Sequence, residues 1–167
     1  MNPCPILQFP HPTTALNIDA ETGRNMIELS RVREFFAAYE HANAEFSIDK
    51  LAAAYADVFM FAGPQGVQSV NKVDFIRLLP RRKESFRAAG LSVSKLDSLE
   101  PLPLDSTHVL VKAMWTMSFE RSGKEPAESH NASTYILRAH GDSFQIVFQL
   151  DHQDLAKRVM ELCGVEV

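Results

Sequence analysis

The chain has 167 residues, a net charge of −4, 46% hydrophobic and 23% charged residues. These are ordinary globular values, at a length that suits one domain and can bury a real core. The acidic balance offers no general attraction to nucleic acid or acidic membrane surfaces, so neither is expected as a partner, and no apolar run reaches the ~18 residues of a transmembrane helix.

The start of the chain, Met1-Asn2-Pro3-Cys4-Pro5, lacks the basic start and apolar stretch of a secretory signal, which makes the cytoplasm the expected compartment. Cys4 and Cys163 sit near opposite ends, and two free thiols in a reducing cytosol are preferred over a disulfide tying the termini. Residues 1–27 carry four of the nine prolines (Pro3, Pro5, Pro10, Pro12) and read as an irregular arm. Ile6, Leu7 and Phe9 within it could pack onto the domain or a partner. Residues 28–167 read as a single domain.

The first helix is expected from about Glu28 to Asn43, with Leu29, Val32, Phe35, Phe36 and Tyr39 on one stripe. Ser47 can cap a second helix whose apolar face holds Leu51, Ala54, Tyr55 and Val58, and which leads into a short strand from Val58 to Ala62. Gly63-Pro64-Gln65-Gly66 turns the chain, and Val67 to Val70 returns against that strand. Asn71 can cap a third helix with Val73, Phe75, Ile76 and Leu79 buried. Pro80 should break it, because a proline ring clashes with the preceding turn, and Gly90 closes the second piece.

Beyond Gly90 the period becomes two. Leu91 to Leu99 is a strand ended by Pro101 and Pro103, and Val109, Val111, Ala113, Trp115, Met117 and Phe119 form the inward face of the next. A hairpin loop at residues 122–126, a strand from His130 to Ala139, a turn at His140-Gly141-Asp142 and a strand from Phe144 to Leu150 follow. Asp151 or Asp154 then caps a short helix carrying Leu155, Val159 and Leu162, closed by Gly164. Helices first and an antiparallel meander after them argue for an α+β sheet wrapped around a helical layer.

That order resembles the nuclear transport factor 2-like superfamily, which includes ketosteroid isomerases, SnoaL-like polyketide cyclases and scytalone dehydratases. The resemblance covers about residues 28–152. It rests on Leu51-Ala52-Ala53-Ala54-Tyr55-Ala56-Asp57, the turn at Gly63-Pro64, and Thr134-Tyr135-Ile136-Leu137-Arg138 followed by a turn and Phe144-Gln145-Ile146-Val147. It implies a cystatin-like α+β cone: N-terminal helices packed in the concavity of a strongly curved antiparallel sheet, here with an extra C-terminal helix. It also implies a pocket inside the cone and, frequently, a homodimer through the outer sheet face.

Laid on the isomerase pattern, Tyr39 falls where those enzymes keep an oxyanion-binding tyrosine, the second donor lands near Tyr135, and the general-base position is Gly63. Glycine has no proton-accepting side chain, so that isomerase reaction lacks its base. The dehydratases use histidine with aspartate and tyrosines, and His108, His130 and His140 lie near strand ends. Candidate catalytic residues are therefore Tyr39 and Tyr135 as hydrogen-bond donors and His130 as a proton carrier. Tyr39, Tyr55, Phe59, Phe61, Trp115 and Tyr135 should point into the cone and line a pocket for a small, largely apolar molecule, where the hydroxyls and the indole N–H each need a partner.

No metal and no cofactor is expected. The six histidines have no metal-pair spacing, Asp151-His152-Gln153-Asp154 reads as a capped helix start, and no phosphate-binding glycine loop occurs. Asn131-Ala132-Ser133 matches a glycosylation sequon by chance. Arg77, Arg81, Arg82, Lys83 and Arg87 form one basic patch, read first as a solvated helix face. Leu110, Met114, Ile136 and Val147 fall on the outer sheet face, where apolar residues suggest a covered surface and a homodimer. Two readings follow: a pocket protein of lyase or isomerase type, and a non-catalytic interaction module with a filled pocket.

Overall fold

The computed structural model describes residues 27–120, 123 and 125–163. The proline-rich arm, Cys4, Gly164, the side chains of Leu162 and Cys163, and part of the loop at 122–126 lie outside the described residues. The elements in chain order are α1 (Leu29–Glu45), α2 (Ile48–Ala53), β1 (Tyr55–Gly63), β2 (Gly66–Asn71), α3 (Lys72–Ala88), β3 (Leu91–Pro103), β4 (His108–Phe119), β5 (Ala127–His140), β6 (Ser143–Asp151) and α4 (Leu155–Cys163).

Six strands form one curved, unclosed sheet in the order β2-β1-β6-β5-β4-β3. Neighbours are antiparallel, with one exception: β1 lies parallel to β6. The α+β sheet curved around the N-terminal helices, expected from the order of patterns, is present, and this one parallel pair is what strand alternation alone does not reveal.

The concave face is filled from α1, whose Val32, Phe35, Phe36, Tyr39 and Ala42 are buried. They meet Val109, Val111, Ala113 and Trp115 of β4, Tyr135 and Leu137 of β5, and Phe144 and Ile146 of β6 in the main core. Odd-numbered residues of β4 from Val109 to Phe119 are all buried, as a half-covered strand requires. Glu40 ties α1 to the sheet edge: its Oε1 accepts the Leu96 N–H of β3 at 2.7 Å. A second core joins Phe86 and Ala89 from α3 and the segment after it, Met117 and Phe119 from β4, and Val159 from α4.

Several local expectations change. α2 ends at Ala53, so Tyr55 opens β1 and Val58 is 58% exposed on it. The chain turns because the strand pairing gives Tyr55 a neighbour, Ile146, that a helix would not. Asn71 does cap α3, its Oδ1 accepting the Val73 N–H at 2.9 Å, but Val73 itself is exposed.

α3 runs unbroken through Pro80. A proline inside a helix costs about 3 kcal/mol, and burial of Leu79 and Phe86 on the same helix returns roughly 1.5–3 kcal/mol for each side chain. The ring sits on the exposed side. β3 likewise continues through Pro101 and Pro103, which pair with Val111 and Val109. An edge strand allows this, because prolines two apart can both aim their missing donor away from the sheet.

Gly90 links α3 to β3 at φ +83°, and a Cβ there would lie 1.9 Å from the Glu120 carbonyl oxygen. The α4 cap is Asp154 rather than Asp151: its Oδ1 accepts the Lys157 N–H at 2.9 Å, and that bond holds its carboxyl below the usual range. Among the described residues no helix is long and apolar enough to cross a membrane.

Candidate functional site

A cavity of about 50 Å³ opens between α1, α3 and the inward faces of β4, β5 and β6. Tyr39 reaches it from α1, Trp115 from β4, Ser133 and Tyr135 from β5, and Gln149 and Asp151 from β6. Arg82 of α3 stands on the same wall.

The polar side of this cavity is a chain of hydrogen bonds. Tyr39 and Tyr55 hydroxyls are 2.7 Å apart, the Tyr55 hydroxyl donates to Gln149 Oε1 at 2.6 Å, and Gln149 Nε2 donates to Asp151 Oδ1 at 2.8 Å. Ser133 Oγ donates to the same Asp151 oxygen at 2.8 Å. The amide of Gln149 must turn its NH₂ toward the carboxylate, so Tyr55 spends its single proton on Gln149 Oε1. The Tyr39–Tyr55 contact alone allows either donor, and this neighbour decides it: Tyr39 donates and Tyr55 accepts.

Burial raises the Tyr39 hydroxyl above its usual titration range, and it raises Tyr55 and Tyr135 well above theirs. All three therefore keep their protons near neutrality and serve as donors. Arg82 acts in the opposite sense on Tyr39 and Tyr55, which places its positive charge within reach of the cavity wall.

Trp115 is 7% exposed, and its Nε1 is a buried side-chain polar atom without a hydrogen-bond partner among the described residues. It bears on the titration of the Tyr135 hydroxyl without reaching bonding geometry. An unpaired buried donor costs about 1–3 kcal/mol, so a group lining a cavity in this state wants an acceptor.

The structure separates the sequence candidates. Tyr39, Trp115 and Tyr135 line the cavity together. Tyr39 also packs against the rings of Phe35, Phe36, Tyr55, Trp115 and Tyr135, with centroids 6.0–6.3 Å away. Tyr55 stands behind Tyr39 as a link in the hydrogen-bond chain. Phe59 is core: it is 2% exposed and lies against Tyr55 and Phe75, because β1 carries it beneath α3. Phe61 lines a different cleft, between β2, α3 and α4.

His130 does not enter the cone. It shares the outer face with Thr116, whose Oγ1 lies 2.8 Å from His130 Nδ1, while the adjacent Trp115 and Asn131 point inward. Strand alternation fixes this: an even-numbered residue of β5 cannot face the same way as Tyr135. His108 pairs with Asp105 at 3.0 Å in the turn before β4, and His140 is exposed at the end of β5.

Gln149, Asp151, Ser133, Asn131 and Arg82 were not on the list of candidates. Asn131 and Ser133 continue the inward phase of Tyr135 and Leu137 and are buried, which was a readable signal and also removes the sequon from the surface. Gln149 was hidden by a bulge. Ile136 pairs with Phe148 and Leu137 with Ile146, so Val147 is an extra residue that reverses the phase of β6.

No protein-family model and no curated protein matches this chain. Solved structures do match in fold. A protein of unknown function with a cystatin-like fold from Nostoc punctiforme has a TM-score of 0.62 at 12% identity, over 78% of this chain and 93% of its own. A putative scytalone dehydratase from Novosphingobium aromaticivorans has a TM-score of 0.61 at 7% identity, over 75% and 83%. A ketosteroid isomerase-like protein from Erwinia carotovora atroseptica has a TM-score of 0.58 at 16% identity, over 77% and 97%. The fold is the one these proteins share.

Proposed function

We propose that this nuclear transport factor 2-like, cystatin-like fold holds a small, largely apolar molecule in its cone, with an acceptor atom of that molecule on the Trp115 indole N–H. The observation that supports it is the buried Nε1 of Trp115, a residue on the cavity wall, which has no hydrogen-bond partner among the described residues. A reaction in this setting is of the lyase or isomerase kind. Tyr135 is the hydroxyl offered to a substrate oxygen, Tyr39 already donates its hydrogen bond to Tyr55, and Asp151 is the carboxylate on the cavity wall. The names of two structural neighbours, a putative dehydratase and an isomerase-like protein, point in the same direction.

The chain has one tryptophan, so its emission reports on this cavity alone. A metabolite library is screened by Trp115 fluorescence and thermal shift. The expected result is a ligand that changes the emission and binds about tenfold more weakly, by calorimetry, to Trp115→Phe, which keeps a ring and loses the donor. Hits that bind Trp115→Phe and Tyr135→Phe as tightly as the wild type would clear the cone of involvement.

A second reading has its own support on the outer face. Leu102, Leu110, Ile136, Phe148 and Met60 pair in succession across β3, β4, β5, β6 and β1, forming one apolar row. We propose that this row is the seam of a homodimer. Should the cone bind nothing, the same row supports a non-catalytic interaction module.

A further inference from the structure

The cone cavity has a neighbour. A wider cleft, of about 640 Å³, runs between the β1–β2 turn, α3 and α4. Its walls are largely apolar: Phe61, Val67, Leu78, Phe86, Val159 and Met160. Val67 and Leu78 are 65% and 60% exposed there. Arg82, Asp151, Gln153 and Leu155 line both this cleft and the cone cavity, so the two meet at one junction.

The charges at that junction are not equivalent. Asp154 accepts from Gln65 Nε2 at 2.6 Å and caps α4, and Asp151 Oδ1 accepts from both Gln149 and Ser133. Both carboxylates are engaged by donors from the protein. Arg81 and Arg82 line the cleft and form no ion pair among the described residues; Arg82 rests over the Phe86 ring at 5.3 Å. A guanidinium without a counter-ion, on the wall of the cavity that Trp115 also lines and at its junction with an apolar cleft, is complementary to a head that is negative and a body that is greasy.

We infer that the cone cavity and the cleft form one site for an amphipathic organic anion, its carboxylate-type head between Arg82 and Trp115 and its apolar tail between α3 and α4. The inference rests on the reading of the cone as a ligand site and adds the chemical class. It also gives the helix-face arginines a use beyond solvation.

The test uses the full chain with straight-chain carboxylates from butanoate to decanoate and their methyl esters, read by Trp115 fluorescence and calorimetry. Acids should bind about tenfold tighter than esters, and Arg82→Gln should erase that difference without touching ester binding. Affinity should climb roughly fourfold per methylene as the tail extends. Leu78→Asn, at an exposed position, should weaken decanoate about tenfold and leave butanoate unchanged. Acids and esters binding alike, with Arg82→Gln silent, would overturn the head assignment while leaving the cone reading intact. A chain-length gain that Leu78→Asn does not alter would overturn the joined site. If no carboxylate binds, the inference falls, and the library screen, which does not depend on charge, decides the cone separately.

Discussion

The Tyr55 hydroxyl donates to Gln149 Oε1 at 2.6 Å, joining the first strand to the last from positions 94 residues apart. Because Tyr55 gives its proton to Gln149, it receives one from Tyr39, and the two tyrosines are not interchangeable. Tyr55→Phe leaves the Gln149 carbonyl without a donor and the Tyr39 proton without an acceptor, a loss of about 3 kcal/mol. Tyr39→Phe removes one donor and should cost about 1 kcal/mol. Urea unfolding of the two variants checks the order, and equal losses would contradict the assigned polarity.

The chain's three tyrosines are all buried, and burial raises each of their titrations. A raised folded value means that the stabilisation is complete below the unfolded value of about 10 and is lost as pH climbs from there toward the folded values. Phenolate absorbance should therefore stay flat through about pH 10 and rise together with the loss of far-ultraviolet circular dichroism. A smooth titration centred near pH 10 in a protein that remains folded would show an accessible tyrosine instead.

Gly90 combines a left-handed backbone with a neighbour where its Cβ would sit. Gly90→Ala should cost about 3 kcal/mol or more, since backbone strain adds to displacement of the Glu120 carbonyl, which belongs to main chain and not to a flexible side chain. Gly141→Ala, at φ +57° with nothing within 4 Å, should cost only about 1 kcal/mol. Thermal denaturation of the pair separates the two contributions.

The apolar row across the outer face carries the quaternary prediction. Ile136→Glu places a charge in its middle and should yield a monomer by sedimentation, with the emission of Trp115, on the opposite face of the sheet, unchanged. A wild-type chain that already sediments as a monomer at high concentration would refute the seam.

The N-terminal helices, the Asn71 cap, Gly90 and the inward face of β4 were legible because each is set by local chemistry or by a strict period. The other features depended on partners that sequence spacing does not carry. Tyr55 left its helix because Ile146 offered a strand pairing, and Pro101 and Pro103 stayed in β3 because that strand is an edge. Pro80 survived in α3 because the helix is anchored by Leu79 and Phe86. His130, offered as a proton carrier at the start of a strand, is the fourth residue of β5 and lies on its outer face, since facing depends on the phase of the whole strand. The polar floor was missed for a related reason: without the bulge at Val147, Gln149 would be counted as outward.

That extra residue in β6 also sets how close this protein lies to a different one. Were the bulge ironed out with Val147 retained, the pairing would run straight on, Phe148 and Leu150 would swing inward and Gln149 out to solvent, and the hollow would fill with hydrocarbon. Loss of the Val147 codon would do the opposite, closing the Leu137–Ile146 and Ile136–Phe148 pairs into plain alternation and leaving Gln149 opposite Tyr135. Whether this scaffold stays receptive or becomes an inert plug thus turns on where the strand lodges its one surplus residue.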